Sequence, residues 1–187
     1  MDKIVIDIET KNSFADVGGQ ANLRDLQVSF VGIYSYNQDK YLSFYEHQME
    51  ELNAFLQKVG LVIGFSINRF DIPVLEKHLK FDPFALKRLD LLEEIELAHG
   101  KRIGLDILAK ANLGIGKTHH SLEAITLYNE GNLEELKNYC LNDVKITKEL
   151  YELATKQGHL LIPDKFSSEI AKVPLRWSEE VLPSTLF

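Results

Sequence analysis

Two acidic side chains interrupt the most apolar segment of the chain, at Asp7 and Glu9 within the run IVIDIE of residues 4–9. An unpaired carboxylate in an apolar setting costs several kcal/mol of desolvation. Side chains alternate along a strand, so Asp7 and Glu9 point to the same face. A hard divalent cation with oxygen ligands is the simplest compensation for two such charges. The alternative is a strand end at which both carboxylates reach solvent.

A third acid, Asp71, follows an apolar run at residues 61–65 and precedes a predicted helix. Asp is a favoured N-cap, and Pro73 suits the first turn of a helix. Taken alone, Asp71 is therefore interpreted more simply as a cap than as a ligand.

Tyr139 and Asp143 lie four residues apart in a long predicted helix, so they are neighbours on one helical face. They flank the apolar stripe of that helix, and we expect them at a partly buried edge. The alternative is a tyrosine half-buried in packing beside a solvated aspartate. The stripe passes through Leu136, Cys140, Val144, Thr147, Leu150 and Tyr151.

Together, these three patterns resemble the motifs of the DEDD superfamily of 3′–5′ exonucleases. The first motif of that family matches Asp7 and Glu9, the second matches the run NRFD at 68–71, and the third matches Tyr139 with Asp143. A motif match of this kind depends on order and structural context.

The tyrosine branch of the superfamily, which includes proofreading domains of DNA polymerases, is the branch this chain resembles. The histidine branch carries a His five residues before its last Asp, whereas this chain has Asn138. The resemblance extends over about residues 3–156. It is nearest to small bacterial predicted exonucleases related to family B polymerase proofreading domains.

The resemblance implies an RNase H-like α/β fold and a site with two divalent cations, Mg²⁺ or Mn²⁺. It assigns Asp7 to both ions, Glu9 and Asp143 to the ion that activates water, and Asp71 to the second ion. It assigns Tyr139 to orienting the nucleophilic water. The implied reaction releases nucleoside 5′-monophosphates from the free 3′ end of DNA or RNA, single-stranded at the site.

Five further residues are candidates for substrate contacts. Thr10 follows the first motif, and Asn68 and Phe70 belong to the second. Lys117 and His119 lie in a polar loop that could approach the substrate backbone, with a solvated loop as the alternative.

The same loop contains Gly-Ile-Gly-Lys-Thr at 114–118, which looks like the end of a phosphate-binding P-loop. That motif requires a Gly at position 111, where this chain has Ala, and it follows a strand. A helix is predicted at 104–112, so we do not interpret the loop as a nucleoside triphosphate site.

Hydrophobic periodicity predicts the elements that must position these residues. The order of strands, then mixed elements, then helices indicates an α/β fold with a mixed central sheet and flanking helices in a single domain. Apparent capping boxes begin at Asp90 and Asn132, and Gly158 ends the last helix. Strands are predicted at 3–8, 28–36, 40–45, 61–65 and 84–89, and helices at 48–58, 72–80, 91–98, 104–112, 121–128 and 133–156.

From the resemblance we expect an RNase H-like 3′–5′ exonuclease domain at 1–158 and a C-terminal extension at 159–187. Two short apolar runs, at 159–162 and 171–177, predict a β-hairpin in the extension that packs on the same domain.

The composition is that of one soluble globular domain, with 187 residues, 45% hydrophobic and 26% charged. A single cysteine excludes an intramolecular disulfide. The charged first ten residues and the lack of an 18-residue apolar run predict neither a secretory signal nor a membrane span. These features lead us to expect a cytoplasmic protein.

The net charge of -7, from 21 Lys+Arg and 28 Asp+Glu, excludes a passive nucleic-acid binder that works by neutralising phosphates. Positive charge must come from elsewhere, and bound cations would supply it. Two other functions remain open. One is a non-catalytic nucleic-acid-binding or scaffolding domain that acts with a helicase or polymerase. The other is an endonuclease of the same fold, which alone would cut a substrate whose 3′ ends are blocked.

Overall fold

A five-stranded mixed sheet forms the centre of the protein in the computed structural model, which describes residues 1–115, 121–164 and 169–177. The strand order is β3-β2-β1-β4-β5. β1 pairs antiparallel with β2 and parallel with β4, so it is the central strand. The strands are β1 (Asp2–Thr10), β2 (Val28–Ser35), β3 (Lys40–Tyr45), β4 (Val59–Gly64) and β5 (Arg88–Asp90).

Helices cover both faces of this sheet, as an α/β layer architecture requires. A separate antiparallel pair of strands, β6 (His159–Pro163) and β7 (Ile170–Pro174), follows the last helix. The helices are α1 (Met49–Leu56), α2 (Asp71–Leu75), α3 (Leu91–His99), α4 (Leu105–Leu113), α5 (Ser121–Asn129) and α6 (Leu133–Gln157). No described helix is long and apolar enough to span a membrane.

The alternation of β1 divides its side chains between two apolar cores. Ile4, Ile6 and Ile8 belong to the core that α1 and α2 cover. Val5 belongs to the opposite core, which α6 covers. Asp7 and the residue two positions further, Glu9, continue the Val5 face, so the prediction of a shared face is confirmed.

Gly32 of β2 allows α6 to lie close to the sheet beside Asp7, with which Gly32 is paired in register. A Cβ atom at this position would lie 3.0 Å from Cys140 Sγ and 3.1 Å from side-chain carbons of Leu141 and Val144. A helix packed this tightly holds its side chains against the end of β1.

The β6–β7 pair shares the core of the helical layer. Leu160, Ile162 and Val173 are buried in the same cluster as residues of α4 and α6. Hydrophobic burial therefore continues beyond residue 158, into part of the segment named above as an extension.

Most predicted elements are confirmed to within a few residues, and the differences have local causes. The strand predicted at 84–89 is a 3₁₀ turn at Pro83–Ala85 followed by the short strand β5, because Asp82 caps the turn and Pro83 begins it. The helix predicted at 72–80 ends as α-helix at Leu75 and continues as one 3₁₀ turn. Asp90 caps α3 as predicted, whereas Asn132 makes no side-chain cap bond to α6.

We predict that Gly32→Ala destabilises the protein by about 1–3 kcal/mol, because the added methyl overfills the interface between β2 and α6. Urea unfolding followed by circular dichroism measures this change. The control is Ser29→Ala on the same strand, which removes a buried hydroxyl that has no hydrogen-bond partner in the described structure. Equal stability of Gly32→Ala and Ser29→Ala would refute a tight approach of α6.

Candidate active site

The C-terminal half of β1 places Asp7 and Glu9 under α6, next to Cys140. Ligand atoms of these three residues all lie within 4.8 Å of one another. Cys140 Sγ lies 3.4 Å from both the backbone oxygen and the Oδ2 atom of Asp7. Asp7 and Glu9 are half-buried, whereas Cys140 is fully buried. Both acids therefore keep partial access to solvent while lying beside a buried thiol.

Cys140 acts as a donor at this site. Burial, followed by the negative charges of Asp7 and Glu9, raises the pKa of the Cys140 thiol well above its ordinary value. The thiol therefore remains protonated at neutral pH and donates towards Asp7. The sequence analysis used Cys140 only as part of an apolar stripe. No local pattern in the sequence pointed to it, because its partner Asp7 lies 133 residues away in the chain.

Asp71 begins α2 and is not its cap, which corrects the simpler interpretation of this residue. The N-cap position is Phe70, and no side chain caps the helix. Asp71 is only 3% exposed, and its Oδ1 atom has no hydrogen-bond partner among the described residues. The backbone amide of Ile8 donates to the Asp71 carboxyl. That amide is accessible because the pairing of β1 with β4 ends at Val5.

The ionised form of the Asp71 side chain is unfavourable in this structure, because the carboxyl is buried and other carboxylates lie close to it. Burial raises the pKa of the Asp71 carboxyl well above its ordinary value, and the charges of Asp7 and Asp90 raise it further. A buried carboxylate oxygen without a donor, next to a second carboxylate, is a fitting environment for a divalent cation. The oxygen-rich donor set suits Mg²⁺ or Mn²⁺, since the neighbouring thiol is protonated.

Tyr139 and Asp143 flank Cys140 on α6 and are more buried than the sequence predicted. Tyr139 is 6% exposed and packs with Phe30 and Leu136 in a small core of its own. Asp143 is 4% exposed, one turn beyond Cys140. The alternative of a solvated aspartate is therefore wrong.

Of the substrate candidates that the structure describes, Thr10 is the last residue of β1, and Asn68 and Phe70 lie in the loop after β4. Thr10 is buried and donates to the Asn12 backbone oxygen at 2.9 Å. The ring of Phe70 meets Phe14 edge to face at 6.1 Å. The Asn68 side chain lies between two charged side chains, and Lys117 and His119 are outside the described residues.

Comparison with known proteins identifies the family. Residues 4–155 match RNase_H_2, a family of the RNase_H superfamily. The chain belongs to this family. The match includes the central sheet and all six helices, except for the first two residues of β1 and the last two of α6. It confirms the RNase H-like fold expected from the DEDD motifs.

Two solved structures share the fold. One is a family B DNA polymerase from the hyperthermophilic archaeon Pyrobaculum calidifontis, with a TM-score of 0.62 and 17% identity over 83% of this chain. The other is the zinc-bound complex of E. coli ExoI with ssDNA, with a TM-score of 0.55 and 14% identity, also over 83% of this chain. The chain spans only 24% of the polymerase and 41% of the ExoI chain. No curated protein matches it in sequence.

We predict that Asp71→Asn raises the melting temperature of the metal-free RNase_H_2 domain at pH 7 by about 5 °C. An unsatisfied buried group costs about 1–3 kcal/mol, and each kcal/mol moves Tm by about 2–4 °C in a domain of this size. The folded pKa of Asp71 lies above the ordinary value of 3.8. The folded state therefore binds this proton more tightly, and stability is lost as the pH rises above that value.

Calorimetric scans in chelator between pH 4 and 7 measure this difference. The Tm advantage of Asp71→Asn over the wild type should vanish near pH 4 and grow towards pH 7. The exposed Asp106 of α4 provides the matched control, Asp106→Asn, which should follow the wild type. A constant difference at all pH values would show that Asp71 does not titrate abnormally.

Proposed function

We propose that this protein is a metal-dependent 3′–5′ exonuclease that hydrolyses DNA or RNA from a free 3′ end and releases nucleoside 5′-monophosphates. The observation that carries the proposal is the buried Oδ1 of Asp71, which lacks a donor in the described structure while its carboxyl feels the charge of Asp7. A buried carboxylate oxygen without a donor lowers the stability of the fold, so a role in binding a cation accounts for it better than a structural role does.

The residues that would hold two divalent cations are Asp7, Glu9, Asp71 and Asp143. Four carboxylates balance the charge of two such ions. When bound, the ions supply the positive charge that lowers the pKa of an attacking water and stabilises the leaving 3′ oxygen. They would also admit a phosphodiester to a chain whose net charge is -7.

The protein's own contribution is to hold these groups still. The Cys140 thiol donates to Asp7 and the Ile8 amide donates to Asp71, so a neutral donor fixes each of these two carboxylates. Fixed dipoles and charges cost no reorganisation during the reaction. The Tyr139 hydroxyl, one helical turn before Asp143 on α6, would orient the nucleophilic water.

Action at an end, and not within a strand, is supported by the tyrosine-branch motifs. Tyr139 and Asp143 stand one helical turn apart on a face that is buried. Solved structures of similar fold include a DNA polymerase and an ExoI complex with ssDNA. Contacts of Thr10 and Phe70 with the terminal nucleotides belong to the same proposal, as do contacts of Lys117 and His119.

The proposed activity is tested by incubating the protein with 5′-labelled DNA and RNA oligonucleotides in the presence of Mg²⁺, Mn²⁺ or chelator. The expected result is a metal-dependent ladder that shortens from the 3′ end. A matched oligonucleotide with a blocked 3′ end should remain intact. Cleavage of the blocked oligonucleotide would identify an endonuclease, and no cleavage of either would favour a binding or scaffolding domain.

We predict that Asp7→Asn lowers the rate of digestion about a thousandfold or more, because loss of metal-ion stabilisation removes about 4 kcal/mol. Gel assays under single-turnover conditions measure the rate. The matched control is Asp2→Asn at the other end of β1, which should digest at nearly the wild-type rate. A wild-type rate for Asp7→Asn would remove Asp7 from the site.

We predict that Tyr139→Phe retains weak activity, about tenfold to a hundredfold below the wild type. The substitution removes one hydrogen bond to water and leaves all four carboxylates in place. The metal concentration that gives half-maximal rate should not change. A shift in that concentration would instead indicate that Tyr139 supports a metal ligand.

A further inference from the structure

The loop between β4 and α2, residues 65–70, determines where Asp71 lies, and its backbone is strained. Ser66 has a φ of 69°, in the left-handed region that non-glycine residues rarely adopt. The loop then folds back over the end of β4, where a Cβ atom on Gly64 would lie 2.1 Å from Ile67 Cγ2. A loop with this conformation must be held by other groups.

Asp90 is the group that holds it. Its carboxylate lies at the end of β5, paired in register with Gly64, and is 4% exposed. Oδ1 accepts from the Ser66 amide at 2.8 Å and Oδ2 from the Asn68 amide at 2.9 Å. Oδ1 also caps α3, accepting from the Leu92 amide at 3.0 Å.

A fourth donor, the Glu93 amide at 3.3 Å, also contacts Oδ1, so Oδ1 has three amide donors and Oδ2 has one. The same side chain therefore joins the start of α3 to the loop that ends at Asp71. A residue needed only as a helix cap would not bind two amides of another segment.

A second layer of contacts reinforces the clamp through the Asn68 side chain. Its Oδ1 accepts from Arg88 Nε at 2.7 Å, and its Nδ2 donates to Glu93 Oε2 at 2.5 Å. Arg88 also donates to backbone oxygens of residues 83–86. The Asn68 side chain thus binds Arg88 and Glu93 of the protein itself. Asn68, the Asn of the second motif, therefore has a structural role apart from any contact with substrate.

We propose that Asp90 is a positioning residue for Asp71 and thereby sets the affinity of the site for divalent cations. The inference rests on the proposed function, since it concerns the cation ligands named there. Asp90 does not touch the reacting atoms. It fixes the backbone that carries Asp71 and adds a negative charge close to it, and both effects favour a bound cation.

The test is Asp90→Asn. An amide of the same shape has one acceptor oxygen and one NH₂ group, so at least one of the loop and cap amides loses its acceptor and faces a donor. Isothermal titration calorimetry with Mn²⁺ should show about tenfold to a hundredfold weaker binding, the usual effect of losing a residue that orients a ligand. The metal concentration for half-maximal digestion should rise in parallel.

Asp2→Asn is the matched control for this change. Asp2 is 7% exposed and accepts from Ser35 Oγ at 2.5 Å and from the Asn37 amide at 3.0 Å, at the end of β1 away from the site. It should lower the melting temperature while leaving Mn²⁺ binding unchanged. Equal weakening by Asp2→Asn and Asp90→Asn, or unchanged binding in Asp90→Asn, would overturn the inference.

Asn68→Ala keeps the test decisive if Asp90→Asn fails to fold, because it removes only the second layer of the clamp. It should weaken Mn²⁺ binding in the same direction and leave the KM for an oligonucleotide unchanged at saturating metal. A raised KM with unchanged Mn²⁺ binding would return Asn68 to substrate contact and overturn the inference. A wild-type protein that neither binds Mn²⁺ nor digests oligonucleotides would instead refute the proposed function.

Discussion

Repulsion between carboxylates that are held together at the end of the central strand is the constraint on which the structure of this protein depends. The fold brings Asp7 and Glu9 onto one face of β1 and places Asp71 where the charge of Asp7 reaches it. Such an arrangement is unfavourable by itself and becomes favourable when cations enter. Two hydrogen-bond donors lie beside these carboxylates. The thiol of Cys140 and the amide of Ile8 supply neutral donors, which steady the anions without cancelling the charge that attracts a cation.

Hydrophobic burial elsewhere in the molecule offsets the unfavourable free energy of holding these carboxylates close together. Apolar cores on both faces of the sheet are built from nearly uninterrupted Ile, Val and Leu side chains, and the β6–β7 pair adds to one of them. Gly32 permits α6 to approach the sheet at the level of Asp7. Asp90 accepts hydrogen bonds from two backbone amides of the strained loop after β4. The site is thus assembled from rigid elements at fixed distances, as catalytic preorganisation requires.

The elements and the central part of the site could be predicted from the sequence because their signals are local. Strand alternation placed Asp7 and Glu9 on one face, and helical periodicity placed Tyr139 beside Asp143. The alternative of Asp71 as a helix cap was wrong because capping preference is also local, whereas the loop before Asp71 is bound by a carboxylate on β5, about twenty residues later in sequence. Cys140 was missed for the same reason, since its partner is 133 residues away in the chain. Local patterns cannot show contacts of this kind.

The central claim is that Asp7, Glu9, Asp71 and Asp143 together bind two cations. The most direct measurement is anomalous X-ray diffraction from crystals of the protein grown with Mn²⁺ and a nucleoside 5′-monophosphate. We expect two anomalous peaks about 3.5–4 Å apart, each in contact with Asp7 and with at least one of the other three carboxylates. Well-ordered crystals with no anomalous peak at these side chains, or with manganese bound only elsewhere on the surface, would contradict the account.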